Sequence, residues 1–489
     1  MSYLDNLREA NNYTTTENCA TTHKSTLNGL MDLFAMGGSY RNRSDDDCIT
    51  LFKKAFEEDE SYAMKCLFYN RDIRGGQGER RFFRVILKWL ANNHSDAVLR
   101  NIKYIPVVGR WDDLYALDGT PLENMAYDFM KQQFLLDLIC KTPSLLAKWL
   151  KSENASSKES RRLARKTIEM FGIRPKMYRK ALATLRERIK VLERLMSEGR
   201  FDEIEFDKIP SRAGIIYRNA FARNDMTKAR YEAFIKSKET KVNAGALYPV
   251  DVAHRAFRAS RLPYDDPERL ALQKYWENLP NYYGEREENG IAVVDVSGSM
   301  VGTPMEAAVS LGAYIAEKAH GPFANHFITF SAQPELVEFN GVDITDKLNR
   351  CANADWGMNT DLEAVFDMLL NVALANSTPQ EDMPTRLYIF SDMEFDAALQ
   401  EWGCWEEKSF NPDTLVEGIA KKWAAHGYKM PDIVFWNLNA RQDNIPAIGE
   451  GFSYVSGFSP VMIEQILSGK TGLDLVMEKL NSERYKDIH

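Results

Sequence analysis

The 489-residue chain predicts two folds in series: an all-helical array, then an α/β unit built on a doubly wound parallel sheet. Three observations lead there. One hydrophobic core serves roughly 250–300 residues, so a chain of this length needs two. Apolar residues recur at +3 and +4 spacing up to about residue 280, after which short apolar runs alternate with amphipathic helices. Charge divides at the same place. Residues 288–489 hold about 13 Lys+Arg against about 30 Asp+Glu, a balance near −17, which leaves near +9 for residues 1–287. Two halves of opposite sign imply two kinds of partner.

Residues 1–25 are polar and rich in Thr and Asn, and are expected to form a loose arm. Residues 26–284 form the helical part. Phe82, Phe83, Ile86, Leu87 and Leu90 make one apolar stripe after the break at Gly75-Gly76-Gln77-Gly78, and Phe134, Leu135, Leu138 and Ile139 make another. Leu182, Leu185, Ile189, Leu192 and Met196 predict one helix running from Pro175 past residue 194. No fixed-period repeat is present, so the array is irregular. Pro280-Asn281-Tyr282-Tyr283-Gly284 reads as a linker.

Beyond it, residues 285–470 make the α/β unit. Strands are predicted at 291–296, 326–330, 386–391, 433–438 and 452–456, with helices at 305–318, 362–372, 414–425 and 461–467. Residues 471–489 are left as a tail. No apolar run approaches the ~20 residues that cross a bilayer. The N-terminus lacks the basic and apolar segments of a secretory signal. Six scattered cysteines without a CxxC pair predict reduced thiols and a cytoplasmic monomer with no membrane contact. Seven scattered histidines argue against zinc.

Asp295-Val296-Ser297-Gly298-Ser299 follows the apolar run Ile291-Ala292-Val293-Val294, so a strand tip presents one carboxylate and two hydroxyls two residues apart. Ligands in such sheets sit outside the carboxyl ends of strands. Asp392 ends a second such strand, in Ile389-Phe390-Ser391-Asp392, and Thr360 precedes a helix. Asp295, Ser297, Ser299, Thr360 and Asp392 therefore make a candidate oxygen site for Mg²⁺, or for another divalent cation such as Mn²⁺ or Ca²⁺. The three hydroxyls are expected as direct ligands, and the two aspartates as ligands directly or through water. Glu394 and Asp396 are expected to be solvated loop carboxylates. A phosphatase or nuclease would also place aspartates and magnesium at strand ends. Here Asp295 is followed by Val296-Ser297 and not by a second carboxylate placed as acid or base, and no histidine or lysine stands near in sequence as general acid, so binding is expected and catalysis is not. Asp-x-Ser-x-Ser, then a distant Thr, then a distant Asp resembles the metal-ion-dependent adhesion site of von Willebrand factor A domains. That likeness implies an open metal position able to take a carboxylate from a protein partner.

The basic half has its own candidates. Between Lys158 and Arg194 lie about 13 basic and about 4 acidic residues. On one continuous helix Arg179, Arg186, Lys190 and Arg194 would share a face. With Arg161, Arg162, Arg165 and Lys176, and with Arg71, Arg74 and Arg80 around the glycine-rich break, they are candidates for contact with RNA phosphates. That break lacks P-loop spacing. Tyr178 and Tyr217 are placed in the core rather than against bases.

Several segments resemble the TROVE module, the helical domain of Ro autoantigens. They are Arg71-Asp72-Ile73-Arg74-Gly75-Gly76-Gln77-Gly78-Glu79-Arg80-Arg81, Tyr104-Ile105-Pro106-Val107-Val108-Gly109-Arg110-Trp111-Asp112-Asp113-Leu114, the stretch 199–213 and the stretch 217–225. The likeness implies a ring of irregular HEAT-like repeats closed by an A domain, binding small structured or misfolded noncoding RNA without chemistry of its own. Residues 151–157 depart from the Ro pattern, and the Ro contact residues do not carry over one by one. The rival expectation is a metal-dependent adhesion or scaffold module without RNA.

Overall fold

The computed structural model describes residues 11–221, 223–286, 288–353, 360–396 and 414–489. Helices fill the chain from Gly29 to Glu277, and a six-stranded sheet with its own helices follows. Strands β1 (Tyr13–Thr15) and β2 (Thr21–His23) form a separate antiparallel hairpin. The main sheet comprises β3 (Gly290–Val294), β4 (His326–Thr329), β5 (Leu336–Glu338), β6 (Arg386–Ser391), β7 (Asp432–Asn437) and β8 (Phe452–Ser456), in the order β5-β4-β3-β6-β7-β8.

Five of these strands are parallel, and β5 runs antiparallel to β4 at one edge. The sheet is thus mixed, not wholly parallel. Three residues of β5 are too few to give a periodic signal, and the helix Ile344–Ala352 that follows it was not predicted either. Every residue of β3 is buried, as a strand covered on both faces must be. The helix Thr303–Lys318 lies so close over β3 that a Cβ at Gly312 would collide with Val294. The strand order reverses between β3 and β6, the position where open α/β sheets leave a crevice for ligands. Val294 pairs with Phe390, so Asp295 and Ser391-Asp392 leave the sheet side by side.

The helical run starts and finishes on the sheet unit. Its first helix, Gly29–Met36, packs on β8. The Ser456 hydroxyl donates to the Phe34 carbonyl (3.0 Å) and accepts from the Gly38 N–H (2.9 Å). Its last helices, Pro249–Ala259 and Pro267–Glu277, pack on Thr303–Lys318 and Ile344–Ala352. There Arg269 grips Asp343 with two parallel bonds of 2.8 and 2.7 Å. One continuous buried core joins both halves.

Three expectations are corrected. The arm is not loose over its described part: Thr16, Ala20, Thr22 and His23 are buried against the α/β unit. The tail belongs to the core. Its helix Gly472–Leu480 buries Leu475 and Leu480, and Arg484 Nη2 and the Tyr485 hydroxyl donate to Asp72 at 2.7 and 3.0 Å. The helix expected to run past residue 194 stops at Arg188. Lys190 turns into the left-handed region (φ 47°), and the Val191 N–H reaches back to the Arg186 carbonyl at 3.1 Å. This six-to-one bond is a Schellman stop. A new helix, Leu192–Ser197, resumes the apolar stripe, which is why spacing alone reads straight through.

Cys48, Cys66 and Cys140 are free thiols, whereas Cys19 is disulfide-bonded, a departure from the all-reduced expectation. Among the described residues no helix is long and apolar enough to cross a membrane.

Candidate metal centre

The structure brings the five predicted ligands to the crevice between β3 and β6. Asp295 leaves β3 fully buried. Its Oδ1 accepts from the Ser297 N–H (2.8 Å) and its Oδ2 from the Ser391 hydroxyl (2.6 Å). The turn so fixed sets the Ser297 and Ser299 hydroxyls 3.0 Å apart. Thr360 stands immediately before Asp361, whose side chain caps the helix Leu362–Asn376 by accepting from the Ala364 N–H (2.9 Å). Residues 357–359, the start of the Thr360 motif, lie outside the described residues. Beyond β6 the chain passes through Asp392, Met393 and Glu394. Met393 takes a left-handed conformation (φ 69°), which costs a non-glycine residue roughly 1–2 kcal/mol. That strain lets Asp392 Oδ1 accept from the Glu394 N–H (3.2 Å). Asp392 is 1% exposed, and the Ser299 hydroxyl lies against its carboxylate, yet its buried Oδ2 finds no hydrogen-bond partner of good geometry.

A cavity of about 360 Å³ opens here. Ser297, Ser299 and Thr360 line it together with Glu394, Asp396, Glu17, Asn18 and Arg441. Glu394 and Asp396 are not the solvated carboxylates expected. Glu394 is buried, accepting from the Glu17 N–H (2.7 Å) and the Asn444 amide (2.9 Å). Asp396 clamps Thr360 by accepting from its N–H (3.0 Å) and its hydroxyl (2.9 Å). The arm enters as well: the Asn18 amide donates to Thr360 Oγ1 (3.0 Å) and to the Glu394 carbonyl (2.8 Å). Glu17, Asn18, Glu394, Asp396 and Arg441 escaped sequence reasoning. The acidic pair lay within view of the Asp392 motif, but nothing in sequence marks the arm or Arg441.

Charge is unbalanced. The carboxylates of Glu17, Glu394 and Asp396 line the cavity, Asp295 and Asp392 are buried next to it without lining it, and Arg441 is the one cation among the described residues in the lining. Burial, with the charge of Asp392 beside it, pushes the Asp295 carboxyl up to about 7. Burial also raises Asp392, and raises Glu394 to about 7 with help from Asp392 and Glu17. Carboxylates forced up by burial and by one another are relieved either by keeping a proton or by a nearby cation. The unpartnered Oδ2 of Asp392 says the same, since a buried acceptor left unmade is costly. Among the described residues no three His, Cys, Asp or Glu side chains cluster as a metal site, so a centre here depends on its hydroxyls. Hydroxyl and carboxylate oxygens fit a hard divalent ion and do not fit zinc.

The predicted phosphate contacts are mostly engaged within the fold. Arg71 is buried on Asp113 (2.7 Å). Arg161 donates to the Ala155 and Ser156 carbonyls (2.8 and 2.6 Å), and Arg162 pairs with Asp118 and Glu159. Arg179 pairs with Glu153, and Lys190 with Glu205. Arg194, on the separate helix, pairs with Glu187 and Glu198. Arg186 staples the Ala147 and Leu150 carbonyls (2.9 and 2.8 Å) and the Ser152 hydroxyl (3.0 Å). The four cations 179, 186, 190 and 194 therefore do not form one row. Among the described residues Arg74, Arg80, Arg165 and Lys176 are exposed and make no side-chain ion pair. Tyr178 is buried, as expected.

A helical array closing on an α/β sheet, with an acidic, hydroxyl-lined crevice at the point where the strand order reverses, defines the class. The chain belongs to the family described as domain of unknown function (DUF2828), which matches residues 16–117 and 131–281. A second description, domain of unknown function (DUF7788), matches residues 289–488. The chain is similar to Uncharacterized protein L728 of Acanthamoeba polyphaga mimivirus, at 28% identity over 504 residues, covering 94% of this chain and 85% of the relative.

Proposed function

We propose that this is a non-catalytic binding protein whose sheet unit is a von Willebrand A-like domain holding Mg²⁺ or a similar divalent cation. The single observation carrying this reading is the unpartnered, buried Oδ2 of Asp392 beside a hydroxyl-lined cavity crowded with carboxylates. Ser297, Ser299 and Thr360 would hold the ion from the cavity side. Asp392 would complete the set, and Asp295 would orient the serine turn from behind. The ion would supply fixed positive charge and an acceptor position for oxygen ligands. The strand order and the site's place at its reversal support the likeness to A domains. Titrating Mg²⁺ or Mn²⁺ into the chain by calorimetry tests it. Saturable binding abolished by the double change Ser297→Ala/Ser299→Ala is expected, and no binding by the unaltered chain refutes the reading.

A second reading, a Ro-like RNA-binding role for the helical half, is favoured by one cluster. Arg71, Arg84, Arg110 and Lys151 surround Asp112 and Asp113, with ion-pair distances of 2.7 to 3.7 Å, and Arg80 lies one turn before Arg84. Four cations thus share two carboxylates, with Arg80 beside them. Although Arg80 is exposed to solvent on one side, the fold covers enough of its guanidinium that desolvation, together with Arg110, Arg71 and Arg84 nearby, pushes it down to about 10. The excess of positive charge suits a phosphate backbone, and the Arg110 guanidinium already stacks 4.0 Å over Trp149. A helical run that begins and ends on the sheet is compatible with a ring. RNA affinity should fall steeply with added salt and weaken with Arg80→Gln. Affinity equal at low and high salt counts against the cluster.

A further inference from the structure

We propose that Glu17 is an internal ligand of the cation site, so that the chain's own arm fills the position an adhesion site leaves open for a partner. This rests on the divalent-cation reading and names who supplies the remaining oxygen.

The arm is built into the site rather than passing over it. Thr16 Oγ1 donates to the Phe395 carbonyl (2.6 Å), and Thr22 Oγ1 donates to the Ile445 carbonyl (2.8 Å). The His23 and Ile445 backbones exchange N–H bonds of 3.0 and 2.8 Å. Between these anchors Asn18 is fixed on Thr360 Oγ1, itself a candidate ligand. That bond uses one lone pair of the hydroxyl oxygen and leaves the other for an ion. The Glu17 N–H is held by Glu394, which sets the Glu17 side chain at the cavity rim, one-third exposed.

A carboxylate in that place is unfavourable by itself, because Asp392 and Glu394 are close enough for its charge to be felt at both. Arg441, 2.7 Å away, offsets one charge of the group. Asp392, whose Oδ2 lacks a hydrogen-bond partner, feels that guanidinium only at longer range and lies against the Ser299 hydroxyl. An ion between them and Glu17 would relieve both sides at once. The cavity has room for it with several waters, each taking about 30 Å³. On this arrangement the cation ties residues 11–25 to the sheet edge. An external acidic partner would have to displace Glu17 to reach the ion.

The test uses the full chain with Mn²⁺ and Tb³⁺ as probes, comparing it with Glu17→Gln, Arg441→Gln and the double change. Loss of a ligand oxygen should weaken Mn²⁺ binding about tenfold or more. It should also add about one water to bound Tb³⁺, read from luminescence lifetimes in H₂O and D₂O. The Glu17→Gln loss should persist in the Arg441→Gln background, since it does not act through the guanidinium. Mn²⁺ affinity and water count unchanged by Glu17→Gln would overturn the inference while leaving the cation site standing. A loss seen only when Arg441 is present would overturn it too, assigning Glu17 to that ion pair alone. Absence of Mn²⁺ binding to the unaltered chain would remove the cation reading and this inference together.

Discussion

Asp295→Asn is the most revealing single change at the crevice. Asp295 is fully buried, and burial with the neighbouring charge of Asp392 lifts its carboxyl from 3.8 to about 7. Between those values the unfolded chain has lost this proton and the folded chain keeps it, so stability falls as pH rises. It is fully present below pH 3.8 and lost on passing through about 7. At about 1.36 kcal/mol per pH unit the fall amounts to about 4 kcal/mol. Glu394, lifted from 4.5 to about 7, steepens it in the same direction. A divalent ion beside the carboxylates reverses the penalty, so Mg²⁺ should stabilise the protein more at pH 8 than at pH 5. Urea unfolding followed by tryptophan fluorescence, in EDTA and in excess Mg²⁺ at both pH values, reads all four stabilities. Asparagine keeps the shape and carries no charge, and the Ser391 hydroxyl can turn to accept from it. The variant should therefore be more stable than the parent in EDTA at pH 8, by up to about 4 kcal/mol. It should also gain less from Mg²⁺. Equal Mg²⁺ gains in parent and variant, or an EDTA-treated parent no weaker at pH 8 than at pH 5, would refute the reasoning.

Three further changes probe the frame around the site. Asp113→Ala strands Arg71, which is 3% exposed, without its counterion, and should cost about 3–5 kcal/mol in chemical denaturation. Arg186→Gln removes charged bonds to two carbonyls and a hydroxyl, and should lower stability by about 1.5–3 kcal/mol. An unchanged midpoint there would return Arg186 to the pool of free cations. Ser456→Ala leaves the Gly38 N–H and the Phe34 carbonyl unmatched between the two halves, costing about 1–3 kcal/mol in the same assay.

What sequence made legible was local. A strand tip needs only consecutive residues, so Asp295, Ser297, Ser299 and Asp392 could be read from apolar runs ending in oxygen donors. The strands at 386–391 and 452–456 were placed to the residue because both are short, buried and flanked by loops. Periodicity failed where a helix stopped for conformational reasons. The left-handed Lys190 carries no mark in the apolar pattern, so the row of cations drawn through residue 194 dissolved. The acceptors that occupy Arg161, Arg162, Arg179 and Arg186 are set by tertiary packing, and charge density cannot report them. Asn18 meets Thr360 across 342 residues, and Glu17 meets Glu394 across 377. No spacing rule reaches that far.

The same long reach explains why the crevice sits where it does. Strand order alone opens a gap between β3 and β6, and in a bare α/β sheet solvent would fill it. Here the residues before the helical array return to wall the gap, while the residues after the sheet return to pack on the helices through Asp72. The helical half thus lies between two segments that each close back on the other half. Its first helix rests on β8 and its last helices rest on the helix covering β3. An ion at the β3–β6 gap would therefore report on contacts made by residues 11–25, and opening of the arm would release Thr360 from Asn18.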